Sequence, residues 1–320
     1  MPYELEFCNN NKKWDEFVSN SLQGNIFCMS RFLNSWGMTS EKLFVTKNDQ
    51  IMLGALLIDH KIKLVNPPIR YQGILFSKEI SSFPNHKRVK VSLDLVEFLL
   101  DELTKKYDKI NFSLFHTFED LRAIQWLNYH EPEKGQFNIN LKYTGILDIS
   151  KIDNVDSLLM IMRTARRQAY RKNKKNGFTF EESDDVDIFA YLQDLTYKRQ
   201  GFSIEDNEKK LFIDLVDGLI DDNLGRLLVC KDKDGKPAAA SFFIFDKKFA
   251  YYLYGANDPD YRKYDTGTAI IIDQLIFFKE KGINLIDFCG INSPARGDFK
   301  TSFNAQPIPF FEVEWKKNKF

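Results

Sequence analysis

Between Arg262 and Phe303 lie residue types that can bind an anion and stabilise charge. Asp265-Thr266-Gly267-Thr268 sets side-chain oxygens and a glycine directly before an apolar stretch. Backbone N–H groups opening a helix there could face a phosphate or carboxylate. Leu285-Ile286-Asp287-Phe288 reads as a short buried strand with one carboxylate in it. Such a carboxylate is costly unless it is paired or used. Lys300 follows on a loop or short helix and could reach the same cleft. An ammonium there could pair with Asp287 or face an anion in that cleft.

The elements that must position these groups are partly legible. Ala269 to Lys281 contains Ile270, Ile271, Ile272, Leu275, Ile276, Phe277 and Phe278. That apolar face is too wide for a surface helix, so a largely buried helix is predicted, ended by Gly282. Arg226 to Lys231, Pro237 to Asp246 and Phe249 to Tyr254 read as consecutive strands, with Asp234-Gly235 as a hairpin turn. Ala238-Ala239-Ala240-Ser241 allows close approach of a ligand or backbone. Tyr251, Tyr252 and Tyr254 give the third strand one face for the core and another that could line the cleft.

A second cluster is basic. One helix is predicted from about Asn154 to Asn176, capped by Asp153 and stopped by Gly177. Leu158, Met162, Ala165 and Ala169 form its buried stripe. Arg163, Arg167, Arg171 and Lys174 form another stripe, with Arg166, Lys172 and Lys175 beside it. Two readings stand: a solvated basic face, or a phosphate-binding ridge, since guanidinium groups bind phosphate bidentately. The predicted helix from Val186 ends in Arg199-Gln200-Gly201. Basic residues and a C′ glycine there stabilise the helix end.

At 320 residues and 37.5 kDa, two domains or one large one are expected. Lys plus Arg and Asp plus Glu both number 45, so no global field pulls the chain to nucleic acid or membrane. Cys8, Cys28, Cys230 and Cys289 are widely spaced without CxxC, as expected of free thiols in a reducing cytoplasm. No signal peptide opens the chain and no apolar run is long enough to span a bilayer, so a cytoplasmic location is expected. His60, His86, His116 and His130 lack metal-ligand spacing, and no metal site is expected. GxSxG, Walker A and HExxH motifs are absent.

In the first half, strands are predicted at Tyr3–Phe7, Lys42–Lys47, Ile51–Asp59, Lys61–Val65 and Lys109–Leu114, with helices at Lys12–Ser21 and Val89–Tyr107. The expected domains are residues 1–145 and 146–305. An alternating strand, Phe310 to Trp315, lies in a final segment, residues 306–320.

Asp287-Phe288-Cys289-Gly290, followed by Phe299-Lys300-Thr301-Ser302-Phe303-Asn304, resembles the double-GNAT acyltransferases, which include the FemABX peptidoglycan-bridge enzymes and the BioF2-like acetyltransferases. Trp14…Phe17-Val18…Gly24-Asn25-Ile26-Phe27 and Met162-Arg163 through Lys172 to Asn176-Gly177-Phe178 are similar to the same family. The resemblance covers nearly the full length. It implies two GNAT-like units, each a mixed, mainly antiparallel sheet flanked by helices (α/β, α+β), with residues 306–320 returning to the first unit. It implies an acyltransferase with no bound cofactor, using acyl-CoA or aminoacyl-tRNA as co-substrate and an amine on a nucleotide- or lipid-linked sugar or cell-wall precursor as acceptor. Lys300, Asp287 and Tyr254 are the expected catalytic residues. Arg163, Arg167, Arg171, Arg199, Gln200, Asp265, Thr266, Gly267 and Thr268 are expected to bind substrate. The expected partners are that small or precursor acceptor, with peripheral contact to a lipid-linked precursor allowed, no DNA, and tRNA ranked behind acyl-CoA. Two departures stand out. Tyr264 occupies the place of the usual Arg or Gln at the acyl-CoA pyrophosphate, and Asn304 replaces a glycine. The rival class is a non-catalytic double-GNAT module that holds a phosphorylated ligand.

Overall fold

The computed structural model describes residues 2–58 and 68–318 and divides into two compact units. Residues 2–58, 69–142 and 309–318 build the first, and Pro68 with residues 143–308 the second.

In the first unit, β1 (Glu4–Phe7), α1 (Asn11–Asn20) and α2 (Ser30–Trp36) precede β2 (Ser40–Lys47), β3 (Gln50–Ile58) and β4 (Ile74–Phe76). These strands form an antiparallel sheet in the order β1-β2-β3-β4. Asn48 and Asp49, both at positive φ, make the β2–β3 turn, a conformation that Asn and Asp tolerate. Next come α3 (Lys78–Ser81), α4 (Asn85–Lys106), β5 (Lys109–Ser113) and α5 (Arg122–Trp126). Helix α4 buries Leu95, Val96, Leu99, Leu100 and Leu103, a helical stripe that seats it in the core with Leu53, Ile110 and Phe112. His60 and the strand predicted at Lys61–Val65 lie outside the described residues.

Strand β6 (Asn138–Asp148) enters the second unit at residue 143. It is followed by α6 (Val155–Ile161), α7 (Thr164–Lys175), β7 (Thr179–Glu182), α8 (Val186–Arg199), α9 (Asp206–Asp221), β8 (Gly225–Lys231), β9 (Pro237–Phe245), β10 (Phe249–Asn257), α10 (Thr266–Glu280), β11 (Leu285–Asp287) and α11 (Pro294–Thr301). The strand order is β6-β11-β10-β9-β8-β7. Every pairing is antiparallel except that of β10 with β11. Successive residues of a strand face opposite sides, and Phe242 and Phe243 of β9 show what covers each. Phe243 packs on Phe278 of α10, while Phe242 packs on Phe189 of α8. The apolar width of α10 is thereby explained: Ile270, Ile271, Ile272, Leu275 and Phe278 are all buried in one core with α7 and the sheet. Finally β12 (Gln306–Lys316) pairs antiparallel with β5 in the first unit, Val313 opposite Phe112 and Trp315 opposite Ile110.

The helix predicted from Asn154 to Asn176 is two helices. Met162 and Arg163 are extended, with ψ of 159° and 144°. The N–H of Arg163 leaves the helical ladder and donates to the Ser302 carbonyl at 3.0 Å. The cap is Asn154, not Asp153. Its side chain accepts from the Ser157 N–H, and the Ser157 hydroxyl accepts from the Asn154 N–H, a reciprocal capping box.

Candidate active site

The second unit holds a point where two strands separate. Strands β10 and β11 run parallel from Phe249 opposite Leu285 to Tyr251 opposite Asp287. Past that pair β11 stays with β6, the Phe288 N–H donating to the Gly145 carbonyl at 2.9 Å, and leaves β10. Strand β10 continues to Asn257 with a bulge at Leu253: Tyr252 pairs with Phe243, and Tyr254 with the adjacent Phe242. A bulge bends its strand and inverts the facing of the residues beyond it. Tyr252 therefore lies on the α10 side, its ring stacked on Phe243 at 5.1 Å. Tyr254 lies on the opposite side, buried, with its ring edge-on to Phe212 of α9 at 5.2 Å.

The turn after β11 is held from both sides. Asp287 is fully buried. Its Oδ1 accepts from the Thr144 hydroxyl and from the Cys289 N–H, the latter at 2.7 Å. The Gly290 N–H donates to Thr144 Oγ1 at 3.3 Å. Cys289 and Gly290 are both left-handed, φ 52° and 77°, so the chain doubles back here. Lys300 of α11 holds the other side, its Nζ donating to the Cys289 and Gly290 carbonyls at 2.8 and 2.9 Å. The carboxylate thus takes the N–H of Cys289 and the ammonium takes its C=O. The Lys300 ammonium also lies 5.6 Å from the Tyr252 ring centroid.

The first turn of α10 is built differently from the expectation. Asp265 stands at φ 55°, and its side chain makes no capping bond; its carbonyl accepts from the Thr268 and Ala269 N–H groups. The left-handed backbone carries the carboxylate off the helix axis. Thr266 is buried and donates to Asn257 Oδ1 at 3.4 Å. Gly267 packs on that asparagine so closely that a Cβ would lie 2.8 Å from its amide. Thr268 Oγ1 accepts from Arg166 Nη1 at 2.7 Å.

Arg166 joins three elements. Besides Thr268 it donates from Nε to Ser302 Oγ at 2.8 Å, and its guanidinium lies over the Phe299 and Phe303 rings at 4.8 and 5.8 Å. Burial pulls its pKa down, opposed by the carboxylates of Asp265 and Asp298. It remains a cation, since a guanidinium starts so high. The sequence pattern sets Arg166 beside the stripe; the break at Met162–Arg163 is what turns it inward.

The other expected residues divide. Arg163 ion-pairs with Asp298 of α11 at 2.6 Å on an exposed surface. Arg167 donates to Thr164 Oγ1, and Arg171 is exposed on α7. Arg199 and Gln200 end α8; burial and the neighbouring Arg262 guanidinium lower the Arg199 pKa, and Gln200 Oε1 accepts from Arg296 of α11 at 3.5 Å. Lys300, Asp287, Thr268 and Arg163 are thus gathered around α11 and the Cys289–Gly290 turn. Thr144 and Arg296 join them without having been named, as do Arg166 and Tyr252, which the sequence placed beside the basic stripe and on the third strand but not among the expected site residues. Thr144 carried no local signal, since only the sheet register brings it there, and the bulge decides which of Tyr252 and Tyr254 faces α10. Among the described residues no His/Cys/Asp/Glu group could hold a metal ion, and no helix is long and apolar enough to cross a membrane.

Residues 161–301 match the model of the acetyltransferase (GNAT) domain. This stretch is a GNAT domain. It holds the parted strands, the first turn of α10 and Lys300, and it makes the chain an acyltransferase. The GNAT domain belongs to a fold that solved structures share along the chain. FemX superposes with a TM-score of 0.70 at 16% identity, covering 97% of this chain and 97% of that one. A tandem GNAT protein from the clavulanic acid biosynthesis pathway gives 0.55 at 7% identity, over 99% and 98%. L-PGS from Bacillus licheniformis gives 0.55 at 14% identity, over 97% and 93%. A comparison with curated protein sequences gives no match.

Proposed function

We propose that this protein is an N-acyltransferase that moves an acyl group from a CoA thioester to an amine on a nucleotide- or lipid-linked sugar or cell-wall precursor. The observation that carries the reading is the parting of β10 and β11 after Tyr251 and Asp287, directly beside the turn that Lys300 holds. An acyl group seated between the parted strands would present its carbonyl near the Lys300 ammonium. The amine attacks that carbonyl, a C–N bond forms, the thioester C–S bond breaks, and the amine's proton ends on the departing sulfur, giving an amide and the CoA thiol. Lys300 is assigned to the developing oxyanion or to donor phosphate. Asp287 is assigned to fixing the turn and, through it, the placement of Lys300.

Arg166, with Arg199 and Arg262 near the end of α8, supplies positive charge for the donor's phosphates in this reading, in place of the Arg or Gln that Tyr264 replaces. Gln200 and Arg296 would contact the acceptor. A second reading, an aminoacyl-tRNA donor, is favoured by one observation: α7 carries Arg166, Arg167, Arg171, Lys172, Lys174 and Lys175 and no acidic residue. The balanced total charge supports acyl-CoA over it. Calorimetry with acetyl-CoA, beside filter binding with charged tRNA at physiological salt, tests the choice. Heat of binding from acetyl-CoA is expected; tight tRNA retention without that heat would reverse the assignment.

A further inference from the structure

Tyr252 borders the parted strands and has no part in the transfer proposed so far. Its ring is fixed on three sides: stacked on Phe243, edge-on to Phe288 at 6.2 Å, and under the Lys300 ammonium. The hydroxyl points along β10 to Gly255, where a Cβ would collide with it. Gly255 lies beyond the last residue of β10 that pairs with β11, so the hydroxyl stands in the parted segment. Three other tyrosines commit their hydroxyls to carboxylates. Tyr251 donates to Asp246, Tyr261 to Asp232 and Tyr107 to Glu41. The Tyr252 hydroxyl has no hydrogen-bond partner among the described residues, and the side chain is only partly buried. The hydroxyl is therefore open to whatever enters the parted segment. A rigid ring with an uncommitted O–H at the edge of a cleft is a donor prepared for something that is to bind there.

We propose that Tyr252 is a catalytic residue of the transfer: its hydroxyl donates a hydrogen bond to the carbonyl oxygen of the donor's acyl group, and Gly255 keeps that hydroxyl's place clear. The inference rests on the reading of the parted strands as the acyl-donor site. No proton changes hands in this role. The bond strengthens as negative charge builds on the oxygen during attack, and relaxes as the carbonyl reforms. Burial raises the pKa of Tyr252 above that of an ordinary tyrosine, so it stays protonated while it serves.

The test compares full-length wild type, Tyr252→Phe and Gly255→Ala, with folding checked by thermal melts. Each is titrated with CoA and with acetyl-CoA, which differ only in the acyl group. Wild type should prefer acetyl-CoA. Tyr252→Phe should lose about five- to tenfold of that preference, the size of one net hydrogen bond, and bind CoA unchanged. Gly255→Ala keeps the hydroxyl but displaces it, and should lose the preference too. In turnover, Tyr252→Phe should lower kcat by about 10²-fold and raise the acetyl-CoA KM by about the same five- to tenfold. An intact acetyl-CoA preference in Tyr252→Phe overturns the role of Tyr252 and leaves the donor site standing. If wild type binds neither CoA form but separates aminoacylated from uncharged tRNA, the CoA reading falls. The same charged-against-uncharged comparison on Tyr252→Phe then decides the hydroxyl. Binding of neither donor overturns both.

Discussion

At the residue scale, Lys300 and Asp287 grip one turn by opposite backbone groups. Lys300→Ala removes the ammonium from the cleft while α11 keeps its other ties. We expect turnover to fall by about 10²-fold or more with folding retained, the usual cost of an oxyanion donor. Steady-state kinetics beside a thermal melt would check it, and wild-type turnover would reduce Lys300 to a turn-holding residue. A second expectation concerns pH. Burial raises the Asp246 pKa, against the N–H groups of Phe249 and Lys248 that bind its carboxylate. A carboxyl with a raised folded pKa contributes stability below its unfolded pKa of about 4, and that contribution is lost as pH rises through the folded value. Melting temperature should therefore carry a downward component from about pH 4 upward that Asp246→Asn removes. A variant whose melting temperature follows the wild-type pH curve would sink the assignment.

At the element scale, Arg166 is the side chain through which α7 reaches both the first turn of α10 and the end of α11. Arg166→Ala should cost roughly 2 kcal/mol, the scale of hydrogen bonds from a charged group, discounted for partial exposure. Chemical denaturation would read it, and Arg166→Lys should recover only part, because an ammonium cannot keep the forked geometry over the two rings. Much of this layer was legible in the sequence. The wide apolar run from Ile270 to Phe278 announced a buried helix, and Asp287 and Lys300 were marked by charge beside apolar residues. Two decisive details were not. Nothing local in Leu159 to Thr164 forbids a helix, and the break is made by the Ser302 carbonyl far along the chain. The bulge at Leu253 hides in a strand apolar on both faces, so alternation could not tell Tyr252 from Tyr254.

At the scale of the whole molecule, charge balance and strand pairing make separate predictions. With equal numbers of acidic and basic residues, only the local arginines at the donor's phosphates should make acyl-CoA binding weaken with salt, and modestly. A log–log slope steeper than about −3, the mark of several neutralised phosphates on a single strand, would point to tRNA instead. Strand β12 is the other determinant. Trp315 is buried in the first unit, and its indole N–H donates to the Gly135 carbonyl at 3.1 Å. Trp315→Ala should cost about 3–5 kcal/mol in that unit, and removal of residues 306–320 should destabilise it at least as much. Calorimetric scans would check both, and an unchanged melt of the truncated protein would contradict the expectation.

The pairing of β5 with β12 also bears on biosynthesis. Some two hundred residues separate Phe112 from its partner Val313, and the stretch between them contains the whole of residues 143–308. During translation the first unit must wait, its strand β5 lacking this neighbour, while residues 143–308 of the second unit emerge as one stretch. The common order, in which the N-terminal domain folds first on the ribosome, is therefore reversed for completion here. The GNAT domain can finish while its predecessor is still open. Folding it first also shortens the effective loop that β12 must close, which lowers the entropy cost of that final pairing.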